Sequence, residues 1–519
     1  MPALVEATVV VYPQIPGQGL STVYSMTVNG TTVPVTYYDS YSNAGVDGPP
    51  RKTAIAWFAY DGSPSVVVTV SQTVSTYTLA PAAKAPTSTP SGVTISWTMG
   101  AQRKLILHHV NSLNEDLLIF GDALESGQPT CCSSTVQSVV ATYGADPTGA
   151  ASAVSAFQSG VNAINALGGG GVLYVPTGTY KIDATVNLKS HVHLYLEPGA
   201  TLNLASGSFT TVTAFLALDV TNLKISGRGY IQGNGASSLG YTWIMHTKDD
   251  INTILQDFMF FNGRTTPLRF AGPTNATIRN VKILARPPTL SDGIDLESFQ
   301  TVLVDDCFVY STDDSHAIGA GANPWAVARS SDNLTIKDSL YYGVNIFSVN
   351  PIVGVDHIKN ILVKNVDFSD VRLVFAIYPM GGTNVEDVTL CHMTVGNIGI
   401  RPFTVEIVDC TSWGSQNCGA PMGVMGHMTN LRIDHVTVGS YGTEQSRFHD
   451  FLSASNSYMD GAVFNHVTIA GTPVTNATTA NLSIIGDVTN VSYTDGPLVA
   501  ACAAAGSHYG RGAKGLGLF

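Results

Sequence analysis

The sequence predicts an all-β protein, an N-terminal β-sandwich followed by a right-handed parallel β-helix. Three observations carry this. Only 12% of the 519 residues are charged, against about 25% in an average globular chain; Gly, Ser, Thr, Val and Asn fill the difference, which favours strands and turns. Residues 5–120 break into short apolar segments separated by turn signals. Beyond residue 138, a polar residue followed by alternating apolar positions recurs at intervals of stacked repeats.

The candidate strands of the first region are 6–12, 23–28, 33–38, 53–60, 65–74, 93–99, 104–108 and 116–120, a spacing typical of a sandwich. Residues 121–134 read as a linker containing Pro129 and the Cys131-Cys132 pair. This divides the chain into a sandwich at 1–130, a β-helix at 136–505 and a tail at 506–519. The sandwich shows no compact set of ionisable residues and reads as a supporting domain. A helix is expected over about 151–167, ended by glycines 168–171 and followed by a strand at 172–176. Glycines after a helix and before a strand reverse the order of a phosphate-binding loop, so they mark a helix stop. The helix is expected to cover the open end of the solenoid.

The repeat is marked by Asp257, Asn280, Asp306, Asp338, Asn365, His392, His435 and His466, at intervals of 23, 26, 32, 27, 27, 43 and 31 residues. The units are strand-like and lack a Leu-x-x-Leu-x-Leu frame. They favour a parallel β-helix over a leucine-rich repeat.

A net charge of −12 disfavours nucleic acid as a partner, since its recognition requires a basic face. No run approaches the roughly 18 to 20 apolar residues of a membrane span. The start, Met1-Pro2-Ala3-Leu4-Val5-Glu6, lacks the features of a signal peptide; the expectation is a secreted, monomeric protein whose signal has been removed. Six Asn-x-Ser/Thr sites, at Asn29, Asn275, Asn333, Asn476, Asn481 and Asn490, agree with secretion. The seven cysteines include no metal-type CxxC pair. Cys410 and Cys418 enclose a short loop suited to a disulfide, whereas Cys307 and Cys391 sit in apolar strands and read as buried thiols.

The candidate chemistry lies in Ser291-Asp292-Gly293-Ile294-Asp295 and Ser311-Thr312-Asp313-Asp314. Asp313 and Asp314 follow Asp292 by 21 and 22 residues, about one solenoid turn. Equivalent positions of successive coils lie about 4.8 Å apart, which brings Asp292, Asp313 and Asp314 into one groove. Neighbouring residues of a regular strand face opposite ways, so the pair must sit at a bend. Repulsion between the carboxylates raises one proton affinity, leaving an acid beside ionised partners. That is the pair of states an inverting glycosidase uses. Two other readings stand beside it. Aspartates cap solenoid turns, and Asp295, Glu297, Asp305 and Asp306 add oxygens for calcium, although no EF-hand frame is present. No metal and no cofactor is expected.

Ser291-Asp292-Gly293 and Thr312-Asp313-Asp314 resemble the Asn-Thr-Asp-Gly and Asp-Asp motifs of the polygalacturonase clan, glycoside hydrolase families 28 and 49. The segments 143–146, 176–180 and 196–200 look like the first coils of such enzymes, and the resemblance spans roughly residues 136–400. It implies Asp313 as general acid, with Asp292 and Asp314 activating water. Polygalacturonases also carry Gly-His-Gly and Arg-Ile-Lys motifs; the matching places here are Tyr342-Gly343-Val344 and Ala376-Ile377-Tyr378. Without those cations, galacturonate has little to neutralise it. The resemblance therefore favours the dextranase and isopullulanase branch, which pairs a β-sandwich with the β-helix, and a neutral polysaccharide as substrate.

Sugars present C–H faces to aromatic rings, so Trp325, Tyr341, Tyr342, Phe347 and Tyr378 are candidate substrate contacts. His316 alternates onto the side of Asp314, and Arg264 and Arg269 precede the cluster by about one coil, placed to bind hydroxyls. A pectin-type hydrolase, a polysaccharide lyase and a non-catalytic glycan-binding β-helix are the alternatives.

Overall fold

The computed structural model describes residues 7–38, 52–82, 84–111, 113–234, 242–263, 266–284, 291–320, 329–349, 357–379, 382–408, 426–452 and 456–503. Arg264, Trp325, Cys410, Cys418, the 506–519 segment and the side chain of Phe347 lie outside the described residues.

The N-terminal region forms two sheets. In one, Val9–Val11, Lys52–Tyr60, Glu115–Ala123, Lys104–His108 and Thr78–Ala80 follow in that order, with Val35–Tyr38 also on Lys52–Tyr60. The other runs Thr31–Val33, Tyr24–Val28, Ser65–Val70, Thr94–Thr98 and Thr89–Ser91. The period-2 alternation of the strands divides their side chains between two apolar layers. Ala56, Phe58, Leu105, Leu117 and Ile119 face inward against Met26, Val28, Val66, Val68 and Ile95. Their neighbours Ile55, Trp57, Ile106, Leu118 and Phe120 face the other way, onto Tyr230, Met259, Phe261, Phe308, Tyr310 and Tyr342 of the second region. Lys52–Tyr60 is apolar on both faces because both faces are covered.

Buried ion pairs fasten this docking. Asp122 accepts from Trp57 Nε1 at 2.7 Å, Arg228 Nη1 at 2.6 Å and Lys282 Nζ at 2.5 Å. Burial works against the Asp122 carboxylate, but Lys282 and Arg228 outweigh it and hold its pKa below the usual range. Lys104 pairs with Asp306, and Lys84 with Asp367 at 2.7 Å. The expected linker at 121–134 therefore begins too early. Gly121, Asp122 and Ala123 extend the strand opposite Phe58, Ala59 and Tyr60, and Asp122 supplies an ionisable anchor where the sequence shows no compact set.

Among the described residues the second region is a sheet of 31 strands wound into coils. Strands Val192–Leu196, Lys224–Gly227, Ile254–Gln256 and Thr274–Arg279 are parallel neighbours in successive coils. One column of core residues runs from Leu194 through Ile225, Leu255, Ile278, Val304, Ile336, Val363, Leu390 and Ile433 to Phe464. The helix spans Val154–Asn165, and Phe157, Val161 and Ile164 enter the same core at the first coils.

All eight repeat markers sit at one kind of corner. Each has a positive φ, from 50° at His392 to 74° at Asp257. Asn and Asp tolerate this left-handed conformation best among residues with a side chain. Their polar groups also join coil to coil: Asn280 Nδ2 donates to Asp257 Oδ1 at 2.7 Å, and Asn365 to Asp338.

Cys391 is not a free thiol. It forms a disulfide with Cys502, 111 residues away. Cys391, Asp434, Asn465 and Thr494 occupy one register column, so the chain after Thr494 doubles back along the last coils to reach its partner. Lys364 Nζ holds the returning strap at Ala501 O, 3.3 Å. Cys131 pairs with Cys132, and Cys307 is a buried free thiol, as expected. Among the described residues no helix is long and apolar enough to cross a membrane.

Candidate active site

Asp292 precedes strand Ile294–Glu297, and Asp313 and Asp314 lie within strand Phe308–Gly319, its parallel neighbour in the next coil. Gly293 makes their approach possible, because a Cβ there would stand 2.5 Å from Val309 Cγ1 and 2.6 Å from Ser315 O. Its N–H instead donates to Asp314 O at 2.8 Å. The N–H groups of Thr312 and Asp313 both donate to Ser291 O at 3.1 Å, and Asp314 N–H donates to Asp292 Oδ1 at 3.2 Å.

A register shift between Ser311 and Asp314 supplies the required bend. Ser311 pairs with Gly343 and Asp314 with Asn345, so one residue is extra on the aspartate strand. Such a bulge re-aims side chains, and it brings Asp313 to the side of Asp314. Gly343 completes it: its φ is +132°, and a Cβ would stand 2.3 Å from Ser311 O. Carboxylate oxygens of Asp292, Asp313 and Asp314 consequently lie within 4.8 Å of one another, all half-buried.

A fourth carboxylate joins them. Asp295 hydrogen-bonds Asp292. Burial, with Glu297 adding repulsion, pushes the Asp295 pKa up to about 8, and Arg269 and the Thr266 hydroxyl only partly oppose this. Burial also drives Asp292 well above the carboxylate range, helped by the charges of Asp295 and Asp313 and resisted by the Asp314 N–H. Near neutral pH, Asp292 and Asp295 together hold a proton. By sequence Asp295 reads only as a calcium oxygen; its place two residues beyond Gly293 on an alternating strand is the signal for its role here.

The aspartates stand along the outer side of the coils. Pairing lines up Arg269, Asp295, Ala317, Ser348, Ala376, Thr404 and Arg447 coil by coil, while Leu296, Ile318, Val349, Ile377 and Val405 point inward. Three arginines on this side have carboxylate partners, whereas Arg372, on the strand two coils past Asp314, has a buried Nε with no hydrogen-bond partner among the described residues. Arg269 donates to both oxygens of Glu297 at 2.8 Å, Arg401 pairs with Glu444, and Arg447 pairs with Glu406 and Glu444 at 3.1 and 2.9 Å.

Three of the candidate substrate contacts are misplaced. His316 points into the solenoid, fully buried, with Nε2 2.6 Å from the Tyr341 hydroxyl. His316 is the register partner of the core residue Ile294 and faces inward with it, and burial lowers its pKa to about 3. Tyr341 is likewise core. Tyr342 lies under the sandwich, where its hydroxyl donates to Asp116 and its ring lies 4.7 Å from Tyr310. Tyr378 does project from the outer face, packed with Leu373, Ala376 and Val408, and its hydroxyl feels the Asp314 charge. Burial pushes its pKa up to about 12.

Residues 138–372 match the family described as rhamnogalacturonase A/epimerase, pectate lyase-like. A probable polygalacturonase of Vitis vinifera is 25% identical over 210 residues, 33% of this chain and 42% of that protein; the chain thus spans less than half the length of this curated relative. Among solved structures, the family 28 exopolygalacturonase of Yersinia enterocolitica matches with a TM-score of 0.55 and 14% identity, covering 95% of this chain and 94% of its own. The exopolygalacturonase of Thermotoga maritima matches at 0.55 and 15%, over 71% and 94%. Dex49A of Penicillium minioluteum matches at 0.51 and 12%, over 92% and 96%. These structures share the fold, and residues 138–372 are similar to the pectate lyase-like family model.

Proposed function

We propose that the protein is a secreted, monomeric glycoside hydrolase that cleaves a neutral polysaccharide of the α-glucan type on a right-handed β-helix. The carrying observation is the clustered set Asp292, Asp313 and Asp314; the resemblance matches Ala376 and Tyr378 to the clan's cations, with Arg372 nearby but out of that register. The sandwich serves as a mount, with no nucleic acid or membrane as partner. The disulfide between Cys391 and Cys502 supports an oxidising destination.

In this reading Asp313 protonates the leaving glycosidic oxygen. Asp314 and the Asp292–Asp295 pair draw a proton from the attacking water. Three carboxylates within 4.8 Å are closer than the roughly 6.5–9.5 Å pair of most inverting enzymes. Inversion therefore rests on the clan resemblance and not on spacing. Asp313→Asn should abolish turnover with the circular dichroism spectrum unchanged; near-normal activity of the folded variant removes the proposal. Reducing-end release from α-glucans, fructans and pectic polymers selects the substrate, and NMR of the first-formed anomer tests inversion. Cleavage of galacturonan alone would make it a pectin-type hydrolase, which the names of its relatives favour.

A second reading has its own support, because the same three carboxylates have the spacing to clasp a divalent cation. A cation-dependent lyase would lose activity to a chelator and form unsaturated, ultraviolet-absorbing products.

A further inference from the structure

Trp243 opens strand Trp243–Lys248 and is half-buried, outside the solenoid core. It pairs with Thr266 in the next coil, and Leu268 of that coil pairs with Ile294. Counting back two residues from Leu268 and Ile294 sets Asp292 opposite Thr266, whose hydroxyl bonds Asp295. Trp243, Thr266, Asp292 and Asp314 thus succeed one another along the groove. Two coil rises separate the indole from Asp292, about 10 Å. One rise is close to the length of one pyranose ring, so a chain threaded along the groove puts its second sugar from the reacting bond at Trp243.

The ring is held in place before any ligand arrives. The Arg269 guanidinium carbon lies 4.7 Å from its centroid, and Glu297 fixes that guanidinium through both carboxylate oxygens. The buried His246 ring lies 5.0 Å away. A clamped aromatic loses little freedom on binding, which favours affinity. The clamp also engages the charge of Arg269, which is 8% exposed, so it offers no cation to an acidic sugar.

Resting on the proposed hydrolase activity, we propose that Trp243 is a sugar-stacking subsite for an uncharged pyranose two residues from the cleaved bond. The alternative is a purely structural indole that keeps Arg269 against Glu297 and Asp295.

Kinetics on neutral gluco-oligosaccharides of increasing length, with the full chain, separate the two. Trp243→Ala should raise KM for long oligomers roughly three- to tenfold, the scale of one aromatic stacking contact. It should also erase the gain in kcat/KM at the length where the second sugar is first filled, and leave the pH profile unmoved. Trp243→Phe should restore most of that gain. An unchanged KM overturns the subsite, as does an equal loss of kcat at every length with a shifted pH profile. If the parent cleaves oligogalacturonate and no neutral glucan, the argument from charge falls, and the subsite with it. If the parent cleaves no glycan at all, the hydrolase reading itself has failed.

Discussion

Replacing both partners of the long disulfide, Cys391→Ser with Cys502→Ser, probes what holds the end of the solenoid. The bond closes a loop across 111 residues of sequence. The chain-entropy relation assigns such a loop about 5 kcal/mol at 25 °C. Each coil touches only its neighbours, so stability is spent locally and the terminal coils can open without the rest. The bond ties Cys502 past three successive coils to Cys391, and these coils must open together while it is intact. Hydrogen exchange followed by mass spectrometry should show faster exchange in Tyr458–Asn465 and Val488–Thr494, with the first coils unchanged. Urea unfolding should show an earlier transition for this end alone, displaced by up to the full amount. Exchange that is uniform along the chain, or a loss below about 1 kcal/mol, would refute the idea that the bond staples the last coils.

Three other perturbations follow from the same physics. Asp122→Ala leaves Lys282 buried without its carboxylate and Arg228 with Asp257 alone, at 3.3 Å, and should cost about 3–5 kcal/mol in denaturant unfolding; Asp122→Ala with Lys282→Met should recover part of this. The folded pKa of Asp295 is raised, so its contribution to stability is complete below the unfolded carboxylate value and is lost as pH rises through about 8. Thermal melts from pH 5 to 9 should show that decline in the parent and a flatter curve in Asp295→Asn. Tyr342→Phe should leave KM unchanged and lower the melting temperature, because its hydroxyl meets Asp116 of the sandwich and no substrate.

The fold was legible because its signals are local. Alternation is a property of neighbouring residues, and it located the sandwich strands to within a few positions. The eight markers identified corners where only a few residue types relax, and all eight have positive φ. The aspartate cluster was legible for the same reason, since one coil fixes the separation of Asp292 from Asp314. What failed depended on events outside that arithmetic. His316 takes the inward place of its register partner Ile294 in the preceding coil, although alternation from Asp314 alone sets it outward. Tyr342 occupies an outward position, but the outside of that coil is covered by a separate part of the chain. The bond from Cys391 to Cys502 joins residues whose nearness is visible only once the coils are stacked and the chain end turns back. Trp243 escaped notice because it lies before the repeats that the markers count.

The corner residues also make the molecule divisible. Joints at Asp257 and Asn280 bound one whole turn, since both corners have left-handed backbone, φ 74° and 51°. Duplicating that turn would move the indole by one sugar relative to the acids, with one copy of Arg269 left against the indole and the other against Glu297. Substrate length in such a protein is then counted in turns of backbone, and it can be edited by duplication at these joints.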